Sequence, residues 1–203
     1  MPSSTTLPKS WPRGVTYLLK PQYGRYVNQD QLISVLDSST SVPTTTTITG
    51  TKASSGPCPL VKVTKIQDKT HPAFDEFGLF ANRHLPPDTF ILFYLGFVHG
   101  TEDVDETSNY DLSLDAQQGI GIDATKMGNE ARFINDYRGI RDAGPNAEFR
   151  DCWVDVGGGR REKRIGVYVL SAGKSGKRAN GIGKGEEILV SYGKGFWSHR
   201  VQS

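Results

Sequence analysis

Apolar and polar positions alternate in short runs over most of the chain, and few runs are long enough or periodic enough for an extended helix. Cys58–Ile66, CPLVKVTKI, sets Leu60, Lys62 and Thr64 against Val61, Val63 and Lys65 with β-branched enrichment, which predicts a strand. Phe77–Ala81 follows an acidic pair and carries a glycine, and Pro86–Pro87–Asp88 marks a turn. Thr89–His99, TFILFYLGFVH, is β-branched and aromatic and predicts a buried strand. Thr101–Ser108 is an acidic loop, and the alternating segments Tyr110–Leu114 and Ile120–Asp123 predict a hairpin. Glu130–Ile134 has room for a helical turn or two. Asn135–Asn146 reads as loop, Glu148–Val156 as strand and Gly157–Arg164 as a Gly/Arg turn. Ile165–Leu170 is a strand, Gly173–Gly185 a Gly/Lys-rich loop, and Glu187–Tyr192 the last strand.

The first part of the chain has a different texture. Met1–Gly14 holds three prolines and reads as a tail. Within Val15–Leu36, VTYLLK and QLISVL suit a short strand and a short helix. Ser38–Ser55 has too little apolar content to offset its ordering entropy and reads as a linker. The organisation expected is a flexible leader and Ser/Thr-rich linker over 1–57, a mostly-β domain over 58–199 and a tail at 200–203. A conventional β-sandwich satisfies this pattern as well as other β-rich folds do.

Composition narrows the function. The 203 residues suffice for one domain with a core. The 24 basic and 22 acidic residues give a net charge of +2, which does not suggest direct binding of nucleic acid by bulk charge. No run of 18 or more apolar residues occurs, so no membrane span is expected, and MPSSTTLPKSWPRG lacks the apolar region of a secretory signal. Cys58 and Cys152 are the two cysteines. They point to a reducing compartment, and with four scattered histidines they offer no metal-site spacing. The protein is therefore expected inside the cell, in nucleus or cytoplasm. Lys174–Arg178, KSGKR, reads as a solvated loop, with a nuclear signal or an anion-binding loop as alternatives.

Two stretches carry the candidate chemistry. Gly128–Asp136, GNEARFIND, is too polar at Asn129, Glu130, Arg132, Asn135 and Asp136 for an ordinary core segment. Gly185–Gly193, GEEILVSYG, is a Gly-Glu-Glu turn running into an apolar strand that ends on Tyr192. As a pair, in this order, they resemble the signature motifs of SET-domain protein-lysine methyltransferases. Two further landmarks agree. Glu76–Ala81, EFGLFA, is similar to the family's G-x-G followed by Leu/Phe-Ala, with Glu76 in place of the first glycine. Tyr94–Leu95–Gly96 matches its Tyr-x-Gly strand end. In R-F-I-N-H-S-C-x-P-N the chain has Arg132–Phe133–Ile134–Asn135, then Asp136 where the family usually has His. The Ser-Cys is missing, and Pro145–Asn146 follows only after an insertion.

The resemblance implies a SET-domain fold, small curved sheets around a C-terminal pseudoknot. It implies methyl transfer from S-adenosyl-L-methionine (SAM) to a protein lysine, with a histone tail as the prior substrate class and no metal. Tyr192 would stand at the methyl-transfer centre and Tyr94 would line the same channel. Val190, where many relatives have Phe or Tyr, would leave the channel wall open and allow more than one methyl. Tyr137 and Phe149 are the candidates to fill that gap. Cofactor contacts are implied for Phe77, Gly78, Leu79, Arg132, Phe133, Asn135 and Asp136, with Trp197 as an aromatic lid. The departures at Glu76, Asp136 and the Ser-Cys also suit a degenerate module that binds SAM or a protein tail without turnover.

Overall fold

A computed structural model of the chain describes residues 6–37, 47–48, 56–174, 176 and 178–192. They are β-rich, with the α-helix Gln29–Val35 and the 3-10 turn Glu130–Phe133 as the helical elements among them. The described residues fall into two compact units. One draws on the segments Met1–Cys58, Leu92–Arg132 and Arg150–Val167, the other on Pro59–Ile91, Phe133–Phe149 and Tyr168–Ser203.

The first unit is built on the predicted hairpin. Strands Asp111–Asp115 and Ile120–Asp123 pair antiparallel, and Ile120–Asp123 pairs on its other side with Phe97–His99. Strand Gln22–Tyr23 completes this sheet, parallel to Phe97–His99. Val98, Leu114, Ile120 and Ile122 are the buried apolar residues of these strands. A second hairpin joins Ala147–Gly157 to Arg160–Val169, and its stretch Arg150–Val167 belongs to this unit. The sequence reading put a turn over Gly157–Arg164, but the turn is confined to the glycines, because the charged residues beyond them find partners within the sheet. Arg164 chelates Glu162, and Lys163 reaches Asp151 at 3.2 Å.

Residues 6–37, assigned to the leader by the sequence reading, carry regular structure. Thr16–Tyr17 pairs in parallel with Met127–Gly128, and Leu36–Asp37 pairs with Arg161 and Glu162. The helix is short but doubly capped: Asn28 Oδ1 accepts the Gln31 amide and Gln31 Oε1 accepts the Asn28 amide. Its Val35 is fully buried. Trp11 packs edge-on against Tyr17 and donates its indole N–H to the Val15 carbonyl. These few large apolar groups outweigh the Pro- and Ser-rich composition around them, which local averaging does not reveal.

His99 introduces a charge question inside the first sheet. Its Nδ1 lies 3.0 Å from the Gly100 carbonyl and its Nε2 3.0 Å from Asp111 Oδ1, so both ring nitrogens face acceptors. Only the imidazolium satisfies both. The hydrogen bond to Asp111 raises the His99 pKa against the opposing effect of burial, with smaller help from the Gly100 carbonyl, Asp111's charge and Asp123. A raised folded-state pKa stabilises the fold below the unfolded value of about 6.5, and that stabilisation is lost as pH rises through the folded value. Urea midpoints are therefore expected to fall between pH 6 and pH 8.5, and Asp111→Asn to flatten this component. A wild type and a D111N variant with parallel pH profiles would refute it.

In the second unit, Val61–Lys65 pairs antiparallel with Phe77–Ala81. The other edge of Phe77–Ala81 takes the C-terminal segment: Gly185 and Ile188 donate to the carbonyls of Ala81 and Leu79, and Ala81 donates to Glu186. The same segment pairs in parallel with Asn135–Asp136 through Leu189–Val190. It is thus inserted between two strands that precede it by about 50 and 110 residues in sequence, the knotted arrangement that the resemblance implies. Asn146 clamps it: its Oδ1 accepts the Leu189 amide and its Nδ2 donates to the Glu187 carbonyl, both at 2.8 Å. Strand pairing proper is restricted to Leu189–Val190, shorter than the predicted Glu187–Tyr192. Leu79, Leu85, Ile182, Ile188 and Leu189 form the buried apolar centre of this unit.

Candidate active site

Beyond Val190 the strand stops and the chain presents Tyr192. Val190 is wholly buried, and its carbonyl accepts the Tyr137 amide at 3.0 Å. Two residues later the Tyr192 amide is taken by a side chain, Asp136 Oδ2, at 2.9 Å. The Tyr192 hydroxyl donates to the Ile134 carbonyl. The ring of Phe149 lies 6.2 Å from that of Tyr192. Tyr137 adjoins Val190 through its backbone, and the Arg138 guanidinium lies 5.0 Å over its ring.

Asn135 and Gly78 meet at one carboxylate. Asn135 Nδ2 donates to Glu187 Oε1 at 2.8 Å and to the Phe77 carbonyl at 3.3 Å. Glu187 Oε2 lies 3.0 Å from His71 Nε2, and both side chains are less than a tenth exposed. The Ala73 amide donates to His71 Nδ1, which leaves Nε2 as the ring's donor to Glu187. A Cβ on Gly78 would stand 2.5 Å from Glu187 Oε1, so the glycine makes room for this carboxylate. The Phe77 ring meets Phe133 edge-on at 5.8 Å, and Leu79 points into the core, fully buried. The second unit thus gathers Phe77, Gly78, Leu79, Phe133, Asn135, Asp136, Val190 and Tyr192.

The first unit holds the other two named residues. Tyr94 is 3% exposed, and its hydroxyl donates to the Tyr110 carbonyl at 2.6 Å. Asn129 braces the strand around it, donating to the Phe93 carbonyl and accepting the Leu95 amide. Arg132 donates to the carbonyls of Ala124 and Thr125 and lies 4.3 Å over the Tyr110 ring. Glu130, 3% exposed, accepts the Tyr17 hydroxyl and the Cys58 amide. Burial and the Glu130 charge push the Tyr17 phenol well above its ordinary pKa. The polar residues that make GNEARF too polar for a core are therefore spent on buried backbone and side-chain partners. Trp197 lies outside the described residues.

His71 escaped the sequence reading. It stands 116 residues from Glu187, and no local pattern marks it. Asn146 carried a signal, as the Asn of Pro145–Asn146, but its clamping role appears only in the structure.

The comparisons extend these observations. The sequence profile of the SET domain matches residues 76–193. No curated protein sequence matches the chain. Among solved structures, the Chaetomium thermophilum polycomb repressive complex 2 (PRC2) is similar at 23% identity and a TM-score of 0.50, over 68% of this chain and 16% of that one. A humanized mutant of the same complex bound to the inhibitor GSK126 gives 23% and 0.50, over 68% and 15%. An apo form in an autoinhibited state gives 24% and 0.50, over 72% and 17%. At these identities the likeness speaks for the fold, and this chain spans about a sixth of those chains. Four motif landmarks in order, a C-terminal segment inserted between two strands and a profile match over more than half of the sequence agree: the chain belongs to the SET-domain family.

Proposed function

We propose that this protein transfers a methyl group from SAM to a lysine side chain of a protein, with basic histone tails as the substrate class, inside the cell and in the nucleus. The observation that carries the reading is the Tyr192 hydroxyl, whose proton goes to the Ile134 carbonyl. Any further partner of that oxygen must be a donor or a polarised C–H, which suits an amine and a cationic methyl donor and not an anion. This is the fit that SAM requires at the site.

Bound SAM supplies an electrophilic methyl on a sulfonium. The chain's own residues align and desolvate. Tyr192 accepts an N–H of the incoming amine and orients its lone pair, and Phe149 offers a ring face to the lysine stem. An apolar channel disfavours the ammonium form of a lysine whose pKa in water is about 10.4. Val190 adds no hydroxyl to limit the number of methyls. Tyr94 is assigned to the channel as an acceptor, because its own proton is committed to Tyr110. For the cofactor we assign the backbone of Phe77, Gly78 and Leu79, the rings of Phe77 and Phe133, the backbone of Arg132 and Asp136, and the Asn135 carbonyl oxygen. Trp197 remains the proposed lid. Both Asn135 N–H groups are already used, so the carbonyl is what it offers.

Transfer of labelled methyl from SAM to mixed core histones, alongside calorimetric titration with SAM, tests the reading. SAM binding without transfer to any protein substrate would favour a degenerate binding module. No SAM binding would end the methyl-transfer reading.

The acidic loop refines the substrate side. Glu102 and Glu106 are exposed, whereas Asp103 is partly buried and Asp105 Oδ1 is engaged by the amide and hydroxyl of Thr107. That local bonding holds the Asp105 carboxyl below its ordinary pKa. Glu102→Gln with Glu106→Gln is expected to raise KM for a basic peptide on the order of a few-fold at low salt, and less at high salt. A KM unchanged at both salts would leave the loop as solvated surface.

A further inference from the structure

The family's usual residue after Asn135 is His, and this chain has Asp136. That carboxylate is buried, with a side chain 6% exposed, and three donors converge on it. Oδ1 accepts the Arg138 amide at 2.9 Å. Oδ2 accepts Arg138 Nη1 at 2.7 Å and the Tyr192 amide at 2.9 Å.

The placement of the third donor matters most. Parallel pairing between Asn135–Asp136 and Leu189–Val190 ends at Asp136 opposite Val190, with one more bond from the Tyr137 amide to the Val190 carbonyl. Past that point the Tyr137 carbonyl accepts the amides of Ile140 and Arg141, and the Asp136 side chain takes the Tyr192 amide. Tyr192 is then tied at both ends to one short segment, 134–136, its amide by Asp136 and its hydroxyl by Ile134. A residue held at backbone and side-chain tip has little freedom to swing.

Chemistry explains why a carboxylate suits this role. Its two oxygens accept without needing a proton, so it serves the Tyr192 amide and the Arg138 guanidinium together, and the guanidinium offsets the buried charge. An Asn at 136 has one acceptor and one donor group. In either amide orientation it turns an NH2 towards an N–H, so at least one contact is lost.

We propose that Asp136, backed by Arg138, is the positioning residue for Tyr192. The assignment rests on the methyl-transfer reading for its catalytic consequence, but not for the contact itself. Asp136 acts through Tyr192 and contributes no side-chain contact to SAM.

The test uses the full chain and two variants, Asp136→Asn and Asp136→Ala. Amide hydrogen exchange at Tyr192 is expected to speed up about tenfold or more in D136N, while Tyr137 and Leu189 keep their protection. In steady-state assays D136N is expected to lower kcat about tenfold, with SAM affinity and peptide KM within about twofold of the wild type. D136A should show the same split more strongly, and if it fails to fold the isosteric D136N carries the test. Unchanged Tyr192 exchange in D136N overturns the contact. Faster exchange with unchanged kcat, or a parallel loss of kcat and SAM affinity, overturns the positioning role. A wild type that transfers no methyl overturns the proposed function and the catalytic half of this inference together, and the exchange measurement then still decides the contact.

Discussion

Tyr192→Phe is expected to lower the methyl-transfer rate on the order of 10²-fold while leaving SAM affinity within about twofold of the wild type. The substitution keeps the ring, so its packing beside Phe149 persists. It keeps the backbone amide, so the bond to Asp136 persists as well. What disappears is the hydroxyl that donates to Ile134 and that, in the proposed reaction, accepts the amine. A rate loss of that size corresponds to about 2.7 kcal/mol of lost transition-state stabilisation. The lost bond to the Ile134 carbonyl adds a folding cost of about 1 kcal/mol, which a thermal melt separates from the kinetic effect. The decisive measurement pairs single-turnover transfer with calorimetric SAM titration on the same preparation. Wild-type turnover in Y192F would remove Tyr192 from the chemistry.

Glu187→Ala is expected to destabilise the fold by roughly 2–5 kcal/mol. The Glu187 carboxylate is the shared acceptor of His71 Nε2 and Asn135 Nδ2 in a setting nearly closed to water. Its removal leaves two buried donors without that partner and a void beside Gly78. Glu187→Gln should lose less, because one carbonyl acceptor remains. The geometry also specifies a coupling. Gly78→Ala alone drives a methyl to within 2.5 Å of Glu187 Oε1 and must displace a carboxylate pinned by two partners. With Glu187 already truncated, the same methyl still meets the Phe80 ring at 2.9 Å but no longer the carboxylate. The double-mutant cycle in urea is therefore expected to show G78A costing less in the E187A background, by on the order of 1 kcal/mol. Additive losses would mean that Gly78 is required for a reason other than the carboxylate.

These two expectations draw on different kinds of information. The chain pattern alone predicted a strand in Cys58–Ile66, a hairpin of Tyr110–Leu114 with Ile120–Asp123 and a helical turn in Glu130–Ile134, and the structure has Val61–Lys65, Asp111–Asp115 paired with Ile120–Asp123, and Glu130–Phe133. Such elements are legible because alternation and β-branching are local properties. The motif strings also singled out Tyr192, Asn135, Asp136 and Gly78 as residues that belong to one task. Within 6–37 the short strand and short helix suggested by VTYLLK and QLISVL are present as Thr16–Tyr17 and Gln29–Val35, but their place in the fold was not legible, because it depends on partners more than 70 residues away. Tyr17 is held by Glu130 and Tyr23 by Glu162, across 113 and 139 residues.

Sequence by itself determined the β-rich character of the chain, the order of its strands and the family to which its motifs point. Tertiary structure decided what the polar residues within those motifs do. Asn135 was expected to spend its amide on a cofactor, and it spends both N–H groups on Glu187 and Phe77. Gly78 was expected among the cofactor contacts, and on its missing side-chain side the fold places the Glu187 carboxylate. Asp136 stood out as a departure from the family pattern and as an implied cofactor contact, and in the fold its side chain receives the Tyr192 amide. The physical reason is the same in each case. A buried donor or acceptor must find a partner, and periodicity along the chain cannot say which distant residue the fold will bring within 3 Å of it.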